Sequence, residues 1–292
     1  MSKPFKSLKN YFSLVKFSHT VFAMPFAMIG FSLAVLLDKN DFSARLLLLI
    51  ILCMIFARNA AMGFNRLADK RFDALNPRTS NREIPSGKID SKAATVFVVI
   101  NAILFIITSG FINRLTLLLS PVALLIILGY SLTKRFTSLC HFMLGLGLSM
   151  APIGAYISVT GKFSLLPIIY SFIVLTWVSG FDIIYALQDI EFDKENKLQS
   201  LPSVTGGRKA LTVSIMAHIA TFLLVVAAGF AGRGDILYWI GAGLFTVMLI
   251  YQHSIVKYDD LNRITLGFGT TNGIASILFA LLVILDLIFL QR

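Results

Sequence analysis

The stretch NRLADKRFD, residues 65–73, determines how this chain is organised. It follows an apolar run, and its oxygen-bearing side chains Asn65, Asp69 and Asp73 recur at every fourth residue. On an α-helix this spacing advances about 40° per step, so the three side chains are predicted to share one helix face. Oxygen ligands without sulfur or imidazole suit a hard cation, above all Mg²⁺. A single run of this kind is also typical of a solvated helix end with alternating charge.

A second acidic run favours the metal interpretation. YALQDIEFD, residues 185–193, repeats the spacing with Tyr185, Asp189 and Asp193, 120 residues later in the chain. It too stands where an apolar segment ends. Two matched clusters at one depth predict a shared site.

The composition predicts a membrane protein. The chain has 292 residues, of which 57% are hydrophobic and 14% charged, and apolar stretches near bilayer length recur throughout. We therefore expect an all-α, polytopic membrane protein with nine transmembrane helices in one domain, residues 1–292. The predicted helices are 17–37, 45–67, 93–112, 115–132, 138–160, 164–188, 209–231, 235–256 and 266–289.

The distribution of Lys and Arg predicts the orientation. With the amino terminus in the cytoplasm, 18 of the 26 basic residues lie on the inner side, 6 lie on the outer side, and Arg58 and Arg66 lie within the second helix. This positive-inside bias predicts an inner-membrane protein whose long loops, 68–92 and 189–208, are cytoplasmic and cap the site. The net charge of +11 then fits the lipid bilayer and an anionic substrate, and it needs no nucleic acid to explain it.

The two acidic clusters end helices that are four helices apart, and each is followed by a basic loop of about 20 residues. This arrangement predicts two four-helix pseudo-repeats, with the site at their interface. A transporter would also show internal repeats, but its ionisable groups usually lie near the membrane midplane, whereas here they gather at one face.

The chemistry of the clusters indicates a diphosphate substrate. Carboxylates could hold Mg²⁺ against its oxygens, and arginine and lysine suit phosphate. Basic residues are dense here, and we expect substrate contacts from Arg66, Arg78, Lys134, Arg135 and Lys197. An apolar bundle behind such a site calls for a lipid tail, so the predicted substrate is a polyprenyl diphosphate, with an electron-rich acceptor capturing the prenyl cation.

These motifs resemble the UbiA superfamily of intramembrane aromatic prenyltransferases along essentially the whole chain. The resemblance implies a central cavity and a diphosphate held through Mg²⁺ by Asn65, Asp69, Asp73, Asp189 and Asp193. YSLTKRFT, residues 130–137, resembles the family's basic motif, which helps bind the diphosphate or the acceptor.

The aromatic-acid branch is indicated by three further stretches, FDIIYALQD (181–189), HTVFAMPF (19–26) and RTSNR (78–82). The resemblance implies 4-hydroxybenzoate as the acceptor, in ubiquinone biosynthesis, or alternatively 1,4-dihydroxy-6-naphthoate, in menaquinone biosynthesis. Leu198-Gln199-Ser200 departs from the Gly-x-x-Ser run of ubiquinone-type members, which leaves the acceptor open.

Two residues inside the predicted helices have open roles. Arg58 is expected to bind the acceptor's carboxylate, an acidic ligand or Asp182. For the acceptor's carboxylate, Arg135 is preferred because it lies at the cytoplasmic face. Asp182 is expected either to support the metal ligands or to help deprotonate the acceptor phenol. His141 and the other histidines outside the first helix show no ligand spacing and are assigned packing or interface roles.

Overall fold

The computed structural model describes residues 10–11, 13–15, 23–256 and 271–289, and within these ranges the chain is helical, without a β-strand. Eight of the described helices are long and apolar enough to cross a bilayer, and Met24–Leu37 is a shorter apolar helix. The predicted fold class is thereby confirmed. The predicted beginnings of the first helix, at 17, and of the last helix, at 266, lie outside the described residues.

The elements follow in chain order, with three short helices between the long ones. The first three are α1 (Met24–Ser32, continued by π-helical turns at Leu33–Leu37), α2 (Ala44–Ala68) and α3 (Lys70–Leu75). Next come α4 (Ser91–Gly110), α5 (Arg114–Thr133), α6 (Cys140–Thr160), α7 (Leu165–Ala186) and α8 (Ile190–Glu195). The last four are α9 (Leu201–Thr205), α10 (Gly207–Ala231), α11 (Ile236–Ile255) and α12 (Asn272–Phe289).

The tightly packed part of the bundle lies on the side formed by α1, α7, α10, α11 and α12. Its centre is a group of aromatic rings around Trp177, with Phe26 at 5.4 Å and Phe245 at 5.6 Å between ring centroids. Lipid tails are as apolar as these side chains, so close packing and aromatic geometry hold the helices together.

Small residues let the helices next to this core approach closely. A methyl group on Gly30 of α1 would overlap the backbone of Pro152 in α6, and one on Gly145 would come within 2.5 Å of the Leu175 carbonyl oxygen of α7. These contacts fix α6 between α1 and α7. The amino-terminal end of α6 is thereby held beside the acidic end of α7.

The two acidic segments share a local architecture that the spacing did not predict. Neither segment is one continuous helix, because α2 breaks at Asp69 (φ −94°, ψ 6°) and α7 ends in a 3₁₀ turn at Leu187–Asp189, where Asp189 has φ −112° and ψ 10°. A six-residue helix follows each break, and its fourth residue is the buried Asp73 or Asp193. The matching breaks support the predicted pseudo-repeat.

Candidate active site

The first acidic cluster is held by basic side chains from the loops. The Arg82 guanidinium donates to Asp73 at 2.6 Å, and Arg135 lies 3.7 Å from Asp69. Arg135 also donates to the last carbonyl oxygen of α2, that of Ala68, at 2.5 Å. The side-chain amide of Asn65 donates to Asp69 at 3.2 Å, so the first and second residues of the motif are in direct contact.

The second cluster has the same kind of partners. Arg78, from the loop after the first cluster, binds Asp189 with Nη2 2.5 Å from Oδ2, and it also donates to the Tyr185 hydroxyl at 2.8 Å. Lys134 lies 2.7 Å from the fully buried Asp193, and the Ser200 hydroxyl donates to the same carboxylate at 2.5 Å. The basic partners of both clusters therefore come from the first half of the chain.

Burial and neighbouring charges together shift the pKa values of Asp69 and Lys134, which lie just beyond the ends of membrane-spanning helices. Burial and then the charge of Asp73 raise the pKa of Asp69 to about 6, against the opposing effect of Arg135. Burial disfavours the charged form of Lys134, but the Asp193 carboxylate outweighs burial and raises the pKa of Lys134 above its ordinary value. The buried Asp69 carboxylate is thus poorly solvated in its charged form, and a bound cation would stabilise that form.

Both clusters line one cavity of about 700 Å³ that runs through the membrane-spanning part of the bundle. The end of the cavity that holds the two acidic clusters is polar, and the rest is lined by apolar side chains of α2, α5 and α6, for example Met54, Ile127 and Leu148. Near the far end lie Thr116 and Ser158. A molecule with an anionic head and a long apolar tail matches this division of polarity.

Nearly all of the predicted site residues reach this cavity. They are Arg58, Asn65, Arg66, Asp69, Asp73, Arg78, Lys134, Arg135, Asp182, Tyr185, Asp189 and Asp193. Arg66 is buried, and its Nη1 donates to the Asn65 side chain at 3.4 Å. Lys197 is the exception, because it is exposed and does not line the cavity.

Two polar residues of the site were missed by the sequence reasoning. Asn76 donates to Asp189 at 3.2 Å and lines the cavity. It lies directly before Pro77 and Arg78. Its position in the basic loop is the only feature of the sequence that indicates a role in the site. His141 was assigned a packing role, but it lines the cavity and its Nδ1 lies 2.7 Å from the Asp182 carboxylate. Asp182 is therefore paired with His141, and the alternative in which Arg58 forms an ion pair with Asp182 is not seen among the described residues.

The donor set fits a hard divalent cation that shares its coordination shell with a substrate. Asp73 Oδ2 is buried and has no hydrogen-bond partner among the residues that the structure describes. In those same ranges no three His, Cys, Asp or Glu side chains converge on one point. Mg²⁺ commonly binds through one or two carboxylates, with water and phosphate oxygens completing the octahedron. The residues present fit that pattern, because each cluster would supply only some of the ligands of a Mg²⁺ ion.

Comparison with known proteins identifies the family. The sequence profile of the UbiA prenyltransferase family matches residues 23–287.

The chain belongs to the UbiA prenyltransferase family.

Several relatives of known name are similar to this chain. A 4-hydroxybenzoate octaprenyltransferase of Tolumonas auensis is 26% identical over 235 residues, covering 80% of this chain and 82% of the relative. The protein of the same name from Francisella tularensis subsp. novicida is 24% identical over 279 residues, covering 96% and 98%. The membership confirms the prediction that this chain is a prenyltransferase.

Solved UbiA structures share the fold. The apo structure of a UbiA homolog from Aeropyrum pernix K1 matches with a TM-score of 0.79 and 27% identity, covering 94% of this chain and 98% of that one. A UbiA homolog from Archaeoglobus fulgidus bound to GPP and Mg²⁺ matches with a TM-score of 0.73 at 20% identity, covering 95% and 99%. The multi-pass helical architecture of this UbiA chain is therefore shared across distant relatives.

Proposed function

We propose that this enzyme transfers a polyprenyl group from polyprenyl diphosphate to an aromatic acid, with 4-hydroxybenzoate as the acceptor, in quinone biosynthesis. The observation that carries the proposal is the meeting of two carboxylate clusters, one from each half of the chain, at the polar end of a single apolar cavity. The names of the relatives support the acceptor, since the Tolumonas and Francisella proteins are 4-hydroxybenzoate octaprenyltransferases.

The diphosphate would be held at the cytoplasmic end. Asn65, Asp69 and Asp73 from one half, with Asp189 and Asp193 from the other, would hold Mg²⁺, whose positive charge stabilises a leaving diphosphate. Arg78, Lys134 and Arg135 stand beside these carboxylates and would donate to the phosphate oxygens. Arg66, buried at the same end of the cavity, adds a further positive charge.

The bond changes balance without an oxidant or a reductant. The phenol of the acceptor gives its proton to the Asp182 carboxylate. The electron pair of an adjacent ring carbon forms a bond to C1 of the prenyl group, while the C1–O bond breaks and its pair leaves with diphosphate. The proton on the substituted ring carbon is then lost to water at the polar end of the cavity, which leaves an aromatic phenoxide, and the phenoxide takes the first proton back from Asp182 to give the phenol. The apolar cavity wall keeps water from the allylic cation.

The acceptor's carboxylate would bind Arg58. Arg135, the residue preferred from the sequence, donates to the Ala68 carbonyl and lies beside Asp69, which favours a role at the diphosphate. Arg58 lies within α2 and lines the cavity, seven residues before Asn65 and hence near the same helix face. A guanidinium in that position can bind an aromatic acid whose carboxylate enters the cavity first.

The same proposal includes the setting of the enzyme. We place the whole chain, residues 1–292, in one transmembrane domain in the inner membrane, with its amino terminus in the cytoplasm and with loops 68–92 and 189–208 over the site. Contacts between the loops support this arrangement: Gln199 N–H donates to the Lys134 carbonyl at 2.7 Å, and Arg78 binds Asp189. A cytoplasmic opening suits a soluble acid, while the prenyl substrate reaches the cavity from the bilayer.

The direct test is a transfer assay with the purified enzyme in lipid nanodiscs. Farnesyl diphosphate, Mg²⁺ and either 4-hydroxybenzoate or 1,4-dihydroxy-6-naphthoate are supplied, and the prenylated product is measured by mass spectrometry. We expect C-prenylated 4-hydroxybenzoate, formed only with Mg²⁺. Turnover of the naphthoate alone would move the enzyme to menaquinone biosynthesis, and turnover of neither acid would refute the aromatic-acid assignment.

A further inference from the structure

A histidine stands behind the carboxylate that faces the acceptor. His141 is the second residue of α6 and is buried, and its Nδ1 lies 2.7 Å from Oδ2 of Asp182 on the neighbouring helix α7. The Asp182 side chain is 23% exposed and lines the cavity. No hydrogen bond within the described ranges uses its other oxygen, Oδ1. One oxygen is thus fixed by the protein, and the second is left for a ligand.

The partners of the imidazole determine which nitrogen carries the hydrogen. The backbone N–H of Leu201 lies 3.3 Å from Nε2 of His141, and an amide N–H can only donate. With Nε2 accepting from this N–H, the ring hydrogen lies on Nδ1. That hydrogen points at Asp182. The imidazole is held in one tautomer by a backbone group that cannot titrate.

The loop that fixes this tautomer also supports the second acidic cluster. Ser200, the residue before Leu201, donates its hydroxyl to Asp193 at 2.5 Å. Two consecutive residues at the start of α9 therefore contact the diphosphate end and the acceptor end of the cavity. The loop residue that contacts His141 therefore directly follows a residue that contacts the second cluster.

We propose that His141 is a positioning residue for prenyl transfer, which orients Asp182 and keeps its free oxygen directed at the acceptor phenol. This inference rests on the proposed function, because it gives His141 a role only if a phenol is deprotonated at Asp182. The proton moves from the phenol oxygen to Asp182, and His141 neither gains nor loses one. Without the N–H donor the carboxylate would lose its fixed orientation and its charge-assisted hydrogen bond.

Substitutions at His141 can separate its two contacts. In His141→Asn the side-chain amide reproduces the donor at the position of Nδ1, whereas in His141→Gln the longer side chain reproduces the acceptor at the position of Nε2. We expect His141→Leu and His141→Gln to lower kcat roughly 10- to 100-fold, the usual effect of losing a hydrogen bond to a charged group. We expect His141→Asn to retain most of the activity. The KM for farnesyl diphosphate should stay unchanged in all three variants.

A more acidic acceptor tests whether the lost step is proton removal. With 3-fluoro-4-hydroxybenzoate, whose phenol ionises more readily, the turnover of His141→Leu relative to wild type should rise, because less help is needed from the base. A defect that only loosens the α6–α7 contact would give the same relative turnover with both acceptors. The wild-type protein measured beside it corrects for the effect of fluorine on the ring.

The outcomes separate this inference from the proposed function. If wild-type protein prenylates neither acceptor, the proposed function has failed. If wild-type protein is active and His141→Gln matches it while His141→Asn does not, His141 anchors the loop at Leu201 and the inference is wrong. Equal activity of all variants would also overturn it. His253→Asn is the matched control, since His253 pairs with His218 and neither lines the cavity.

Discussion

Arg78 binds Asp189 across 111 residues of sequence, with both Nε and Nη2 directed at the carboxylate, at 3.2 and 2.5 Å. The guanidinium also lies over the Tyr185 ring, 5.2 Å from its centroid. A residue of the first loop is thus part of the second acidic cluster. Because this contact is bidentate and stacked, a lysine at position 78 would not reproduce it. The two clusters are therefore expected to act as one unit.

Removing either cluster should stop the reaction. We expect Asp69→Ala and Asp189→Ala each to lower turnover by roughly 100-fold or more, because a bound metal ion supplies several kcal/mol of charge stabilisation. Turnover is measured with purified protein at saturating Mg²⁺. Glu191→Ala is the control, since Glu191 lies between the second-cluster aspartates but is exposed and outside the cavity lining. Wild-type turnover in either aspartate variant would refute the two-cluster site.

Substitutions at Lys134 and Lys197 should differ in their effect on kcat/KM, although the sequence predicted substrate contacts for both residues. Lys134 lines the cavity and is paired with the buried Asp193, so Lys134→Ala leaves that carboxylate without its cation. We expect a loss of roughly 10-fold or more in kcat/KM for the prenyl diphosphate, as for other charge-assisted contacts. Lys197→Ala should have no effect on kcat/KM. A large effect at Lys197 would show that the loop moves over the site when substrate binds.

Substitutions at Arg58 and Arg135 should affect the KM values of different substrates, the acceptor in one case and the prenyl diphosphate in the other. We expect Arg58→Gln to raise the KM for 4-hydroxybenzoate by roughly 10- to 100-fold, with little change for the prenyl diphosphate. Arg135→Gln should raise the KM for the prenyl diphosphate, because Arg135 lies beside Asp69. The reverse pattern would return the acceptor's carboxylate to Arg135. Both constants come from initial rates with one substrate varied at saturation of the other.

The orientation can be tested by cysteine labelling. In a Cys53→Ser, Cys140→Ser background, single cysteines at the exposed positions Ser86 and Glu195 should react with an impermeant maleimide only after the inner face is opened. Lys162→Cys, exposed in the loop between α6 and α7, should react in intact cells. Labelling of Ser86→Cys or Glu195→Cys in intact cells would invert the predicted orientation.

The sequence predicted the membrane helices and the acidic clusters because hydrophobic length and residue spacing carry that information directly. It did not predict the breaks at Asp69 and Asp189, since neither a proline nor a glycine marks them and the i, i+4, i+8 spacing is that of an unbroken helix. It also missed the His141–Asp182 pair, whose members lie 41 residues apart on two helices. Such a contact depends on how α6 and α7 pack, and a single sequence holds no periodic signal of it.

Each of the four carboxylates already has a basic partner: Asp69 with Arg135, Asp73 with Arg82, Asp189 with Arg78 and Asp193 with Lys134. A metal ion that binds alone would occupy the carboxylates and leave the basic side chains without partners. A diphosphate that binds without metal would occupy the basic side chains and leave the carboxylates without partners. A magnesium diphosphate supplies a new partner to both sides at once. Binding therefore replaces the four ion pairs within the protein by ion pairs to the metal and to the diphosphate. Metal and diphosphate should bind with positive heterotropic cooperativity, so that each raises the affinity for the other. Charge balance alone then favours magnesium diphosphate over either ion by itself, whatever contacts the prenyl tail makes.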